Sequence, residues 1–241
     1  MKKKKGIIIL LCIVICLFLV GFVYKKFSTP KFKDLDSSWG LGTKLTKSVS
    51  NNKDYDWYVD QYATGRNAIK NCGPSVVAMV ANWQDEKLNL KVNDIVDKYI
   101  PDESLYAGAD FLTLYNWMED YKLNPTWLKN ATIDSMIKEI DKGNILLIGV
   151  DLQFLKYNSS LIERVGKPWD AMGSHYVIIK GYKEVDGKLY FEVYDPVSSY
   201  RKYNDGQLIG KDRYYDTEEL MSAIKVYYTD VIIVSPKTAK S

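Results

Sequence analysis

"KNCGPSVVAMVANW", residues 70–83, places Cys72 at the head of a nearly unbroken apolar run. Pro74 suits the first turn of a helix, where a missing N–H costs nothing. Val76, Val77, Met79, Val80 and Trp83 then recur around a wide face, which predicts a largely buried helix from Cys72 to Gln84. A cysteine that merely fills a core has no need of a helix start. A nucleophile has, because the summed peptide dipoles make that end partly positive and favour the thiolate. Gly73 next to it is expected to leave room for an approaching substrate. The Cys72 N–H belongs to a first turn whose donors have no partner inside the helix. One residue can thus offer both an attacking sulfur and an oxyanion donor.

Such a thiol needs a base, and the chain has one histidine, His175. It opens the strand-like run "HYVIIKGY" after a Gly-Ser pair. A third group has to hold the imidazole in one tautomer. The segment "VIIKGYKEVDGKLYFEVYDP", residues 177–196, reads as a hairpin whose register can be tested on paper. A two-residue turn at Asp186–Gly187 pairs residues whose numbers sum to 373, and then apolar and polar residues share both faces. An even sum sorts them, as a half-buried antiparallel pair requires. Among even sums, 370 sets Asp195 opposite His175, so the expectation is register 370 with a loop of about five residues. Asp195 is the expected orienting carboxylate.

For a side-chain oxyanion donor the candidate is Gln61, 11 residues before Cys72 on a segment leading toward it. Asn71 is nearer but directly precedes the helix and is expected to point away.

Helix starts are read at Asn93, Asp110 and Thr132, and at the Asp216–Glu219 capping pair; Gly143 ends the third of these helices. Strands are read at 145–150, 175–182, 188–194 and 225–234. Helices first and strands later predict an α+β domain with segregated halves, over residues 54–235, with a short tail at 236–241.

The net charge of +3 comes from one end. Residues 1–26 hold six lysines and no acid, and without them the chain carries 27 basic against 30 acidic residues, or −3. No Lys/Arg-dense face or tail remains for nucleic acid. Gly6 to Val23 are 18 residues without a charge, about 27 Å of helix, matching a hydrocarbon core. Lys2–Lys5 precede them, so the N-terminus is expected in the cytoplasm and the bulk outside. Without a small-x-small site after the run, it reads as an uncleaved transmembrane anchor rather than a cleaved signal peptide. Residues 27–53, rich in Ser, Thr, Lys, Asn and Gly, read as a stalk. Cys12 and Cys16 lie inside the anchor, which leaves Cys72 as the only exported thiol and rules out a disulfide within that part. One histidine and one cysteine cannot make a metal centre there, and no glycine-rich phosphate loop is present. No cofactor and no metal are expected. Trp127 and Trp169 are candidate walls of a peptide cleft.

The order "QYATGRNAIKNCGPSVVAMV", "GSHYVIIKGY", "VYDP" resembles papain-like cysteine peptidases, in particular the family typified by domains that cut double-glycine leaders from exported bacterial peptides. The resemblance implies a helical half carrying the Cys helix packed on an antiparallel sheet carrying His and Asp. It also implies Cys72 as nucleophile, His175 as base, Asp195 as orienting acid and Gln61 as oxyanion donor. With no transporter in the 241 residues, leader cleavage is not carried over as the substrate role. The expected function is a membrane-anchored, outward-facing cysteine peptidase acting on a peptide or protein. The alternatives are a thiol transpeptidase or amide transferase, and a binding domain on a peptidase fold without turnover.

Overall fold

A computed structural model describes residues 35–65, 67–102, 106–227 and 229–237. The proposed anchor at Gly6–Val23 lies outside them; among the described residues no helix is long and apolar enough to cross a membrane. The domain forms one compact unit from Asp36 onward.

Its centre is helix α1 (Cys72–Gln84). Val76 to Ala81 have no exposed surface, and Trp83 is nearly as buried. Each large apolar side chain buried this way contributes about 1.5–3 kcal/mol. Such a helix holds by packing on all sides rather than by an amphipathic stripe. Around it lie α2 (Val92–Tyr99) and α3 (Phe111–Asp120). α2 is capped at Lys91 rather than at Asn93, two residues earlier than its sequence suggests, because Asp94 reaches back to the Lys91 N–H at 2.9 Å. α3 is capped as expected, with Asp110 accepting from the Thr113 N–H at 2.7 Å.

The other half is an antiparallel sheet of β1 (Leu45–Ser50), β2 (Thr126–Leu128), β3 (Ile145–Asp151), β4 (Ser174–Val185), β5 (Lys188–Tyr194), β6 (Arg213–Asp216) and β7 (Val231–Val234). The order is β2-β7-β3-β4-β5-β6, with β1 beside the far end of β4. One face, with Ile145, Leu147, Ile178 and Ile232, packs on α1. The opposite face, with Leu146, Ile148, Val177 and Val193, is covered by α4 (Ile133–Asp141) and α5 (Thr217–Ile224). Asp216 caps α5 by accepting from the Glu218 and Glu219 N–H groups, but the Glu219 carboxylate turns away to the Lys156 N–H. The α+β reading with segregated halves holds, and the sheet carries a second helical layer.

Three expectations change. The hairpin has the tight turn after all: Asp186 and Gly187 both have positive φ, and Val185 pairs with Lys188. Pairs sum to 373 from the turn to Gly181–Glu192 and to 372 at Ile179–Val193, so the register is not 370. A β-bulge at Lys180 absorbs the odd residue. Turn chemistry asks for an odd sum and the buried faces for an even one, and the bulge satisfies both. Second, residues 45–50 are no stalk: they form β1, tied to the hairpin where Asp186 accepts from the Thr43 and Lys44 N–H groups at 2.8 and 3.0 Å. Third, the strand read at 225–234 shortens to β7, preceded by a 3₁₀ turn at Lys225–Tyr227 and a positive φ at Thr229.

The bulge sets up one test. A Cβ on Gly181 would run into the Val49 carbonyl oxygen of β1 and the Glu192 carboxylate. Gly181→Ala is therefore expected to cost about 1–3 kcal/mol, read as a lower urea midpoint. An unchanged midpoint would mean that β1 can move away freely.

Candidate active site

Three elements converge on one point. Cys72 is the first residue of α1 and is partly exposed. His175 is the second residue of β4, and Asp195 follows the last residue of β5; both are buried. His175 Nε2 lies 2.8 Å from Asp195 Oδ1. An ionised carboxylate only accepts, so Nε2 carries the hydrogen and Nδ1 is left for the thiol. The Cys72 side chain is near enough to act on the His175 pKa through a hydrogen bond and through charge.

Asp195 receives three donors. Oδ1 takes the Val197 N–H at 2.9 Å besides the imidazole, and Oδ2 takes the Tyr215 hydroxyl at 2.8 Å. Burial works to raise its pKa, but the His175 charge and these hydrogen bonds outweigh it and hold the carboxyl below its usual value. Burial likewise works to lower the His175 pKa, and Asp195 with Cys72 outweighs it, so the imidazole is pushed up. The arrangement favours an imidazolium beside the Asp195 carboxylate at neutral pH. Burial and the Asp195 charge push the Tyr215 hydroxyl well up, so it stays a donor.

The loop after Asp195 is locked to the segment before Cys72. Asp60 accepts from the backbone N–H groups of Ser198, Ser199 and Tyr200 at 3.2, 3.3 and 2.9 Å. The Gln61 N–H donates to the Pro196 carbonyl at 2.7 Å, and the Tyr58 hydroxyl to the Asp195 carbonyl at 2.8 Å. Asp60 and Tyr58 thus join the two halves of the site. Neither they nor Tyr215 stood out in the sequence, since their role depends on partners some 20 to 140 positions away.

The expected side-chain donor behaves partly as a brace. Gln61 is buried; Nε2 donates to the Ala68 carbonyl at 3.1 Å and reaches the Ile69 carbonyl only at 3.4 Å, while Oε1 has no partner. Asn71 turns back from the helix, as expected, with Nδ2 donating to Thr64 Oγ1 at 3.0 Å. Gly73 serves packing rather than substrate access: it is buried, and a Cβ there would press on Leu114 and Ala109.

Cys72 opens into a cleft of about 620 Å³ bounded by the 107–111 segment, Trp127, Gly149 and Tyr176. Trp127 therefore is a cleft wall. Trp169 instead packs perpendicular to the His175 imidazole, centroids 5.3 Å apart. Among the described residues no cluster of His, Cys, Asp and Glu could hold a metal ion.

A search of curated proteins finds none that matches the chain. Among solved structures, the chain is similar to a candidate C39-like peptidase from Bacillus anthracis, with 14% identity and a TM-score of 0.53 over 80% of this chain and 100% of that one. At 11% identity and a TM-score of 0.31, the match to proCathepsin B S9 from Trypanosoma congolense covers 48% of this chain and 36% of that one. The model described as "Peptidase_C39 like family" matches residues 53–222, a span that holds Gln61, Cys72, His175 and Asp195. A match over well over half of the sequence places this chain in the Peptidase_C39-like family.

Proposed function

We propose that the protein is a cysteine peptidase, anchored in a membrane by Gly6–Val23 with its domain facing outward, and that Cys72, His175 and Asp195 are its catalytic triad. The observation that carries the catalytic part is the buried His175–Asp195 pair at 2.8 Å beside the one thiol of the domain. The anchor and its orientation rest on the charge and hydropathy of the N-terminal sequence alone.

In this reading the Cys72 thiol gives its proton to His175 Nδ1, and the sulfur attacks a peptide carbonyl carbon. The oxyanion is met by the Cys72 N–H and by the second hydrogen of Gln61 Nε2, the one held only weakly at 3.4 Å. The C–N bond breaks as His175 protonates the leaving nitrogen, which departs as the amine. Water then gives a proton to His175 and its hydroxyl to the thioester carbon, releasing the acid and the thiol. Throughout, Asp195 keeps the ring orientation and balances its charge.

The direct test is alkylation by iodoacetamide. Cys72 is expected to react at least about 10-fold faster at neutral pH than a simple model thiol, and His175→Ala is expected to remove that advantage. A Cys72 no faster than the model thiol, and indifferent to His175, would end the enzyme reading and leave a binding domain. Gln61→Ala separates donor from brace. As an oxyanion donor it is worth about 10²–10³ in kcat with KM little changed. A loss confined to thermal stability would reduce Gln61 to a support for the 68–70 turn.

A further inference from the structure

The cleft beside Cys72 has an aromatic wall and, among the described residues of its lining, two carboxylates and one lysine. Phe111 and Trp127 meet edge to face with centroids 5.1 Å apart, and Phe111 stacks on Tyr176 at 6.4 Å. Gly149 adjoins this wall: a Cβ there would press on the Tyr176 ring and reach contact with Tyr227, so its absence keeps the cleft open. Gly149 shares a sheet face with Leu147, where α1 covers the sheet; two residues further along the strand that face lines the cleft instead.

Two carboxylates sit in this aromatic setting. Asp110 uses Oδ1 for the Thr113 N–H, and Asp230 uses Oδ2 for the Trp127 indole N–H at 2.8 Å. Among the described residues neither has an ion-pair partner. The hydrogen bonds from Thr113 hold the Asp110 carboxyl below its usual value, so it is ionised at neutral pH. Among the described residues the one cation of the lining, Lys70, is exposed and donates to the Tyr106 carbonyl at 2.7 Å. Aromatic faces attract cations and also cover aliphatic stems. The carboxylates of Asp110 and Asp230 at the same place supply the countercharge.

We infer that this cleft selects substrates by a lysine or arginine side chain close to the scissile bond, the aliphatic stem lying along Phe111, Trp127 and Tyr176 and the cationic head meeting Asp110 and Asp230. This specificity rests on the peptidase reading above and adds a substrate class to it. An acidic side chain is rejected there by like charge, and a neutral stem of the same length gains the aromatic contact only.

The test uses the intact protein and a pool of internally quenched decapeptides in which lysine, arginine, norleucine and glutamate vary at every position. Cut bonds are read by mass spectrometry, with iodoacetamide alkylation of Cys72 run in parallel. Lysine or arginine is expected at least 10-fold over norleucine at one position within three residues of the cut bond, on either side. In Asp110→Asn/Asp230→Asn that ratio is expected to fall within twofold of unity. The amides keep the hydrogen bonds to Thr113 and Trp127, and a ratio taken within each variant cancels any change in thiol reactivity. Cutting without basic enrichment, or enrichment that survives both amides, overturns the specificity and leaves the peptidase standing. A pool left uncut overturns both.

Discussion

Replacing His175 by alanine is expected to lower kcat/KM for peptide cleavage by about 10⁴- to 10⁶-fold, the loss seen when a triad member that acts as a unit is removed. Two steps depend on this one ring: it takes the proton from the thiol, and it protonates the departing nitrogen. No other imidazole exists in the chain to stand in for it. The ring is buried, between the Asp195 carboxylate and the Trp169 ring set perpendicular to it, so solvent cannot easily supply a substitute base. Loss of turnover with an unchanged far-ultraviolet circular dichroism spectrum is the expected result. A variant that kept a tenth of the activity would show that Cys72 does not work through His175.

Asp195→Asn is expected to keep the fold and still cost about 10²–10⁴ in kcat. The amide oxygen can keep its bonds to His175 and the Val197 N–H, and the Tyr215 hydroxyl can rotate to accept from the amide nitrogen. What disappears is the negative charge. With it gone, burial dominates at His175 and its pKa falls, because burial penalises the charged ring. The pH profile of Cys72 alkylation carries the sign: the range over which a thiolate faces an imidazolium should contract from its alkaline side. Tyr215→Phe, which removes one donor and no charge, should shift that profile less. If Asp195→Asn slows turnover less than threefold and leaves the profile in place, the carboxylate is structural only.

Much of the site could be read residue by residue. Cys72 announced itself through a helix start, His175 by being alone, and Asp195 by following the partner strand of that histidine. The route to Asp195 was nevertheless incorrect in detail. Even parity held toward the His175 end, but at a sum of 372 rather than the 370 that would set Asp195 opposite His175, and it failed at the turn, where Asp186–Gly187 made the tight hairpin its dipeptide favours. Sequence pattern shows that two local preferences conflict, but not where a strand will bulge to reconcile them. That choice falls at Lys180, beside Gly181, where β1 comes too close for a side chain.

Helix spans and most of their caps came from the sequence alone, because a helix is decided by groups three or four positions apart: Asp110 with Thr113, Thr132 with Ser135, Pro74 in its first turn. The tertiary structure alone decided the short strands β1, β2 and β6, whose identity comes from partners far along the chain. It alone also decided the clamp through Asp60, the Tyr215 bond to Asp195 and the cleft over Gly149. These contacts exist only once chain closure has brought distant segments together, and no spacing rule within one segment can encode them.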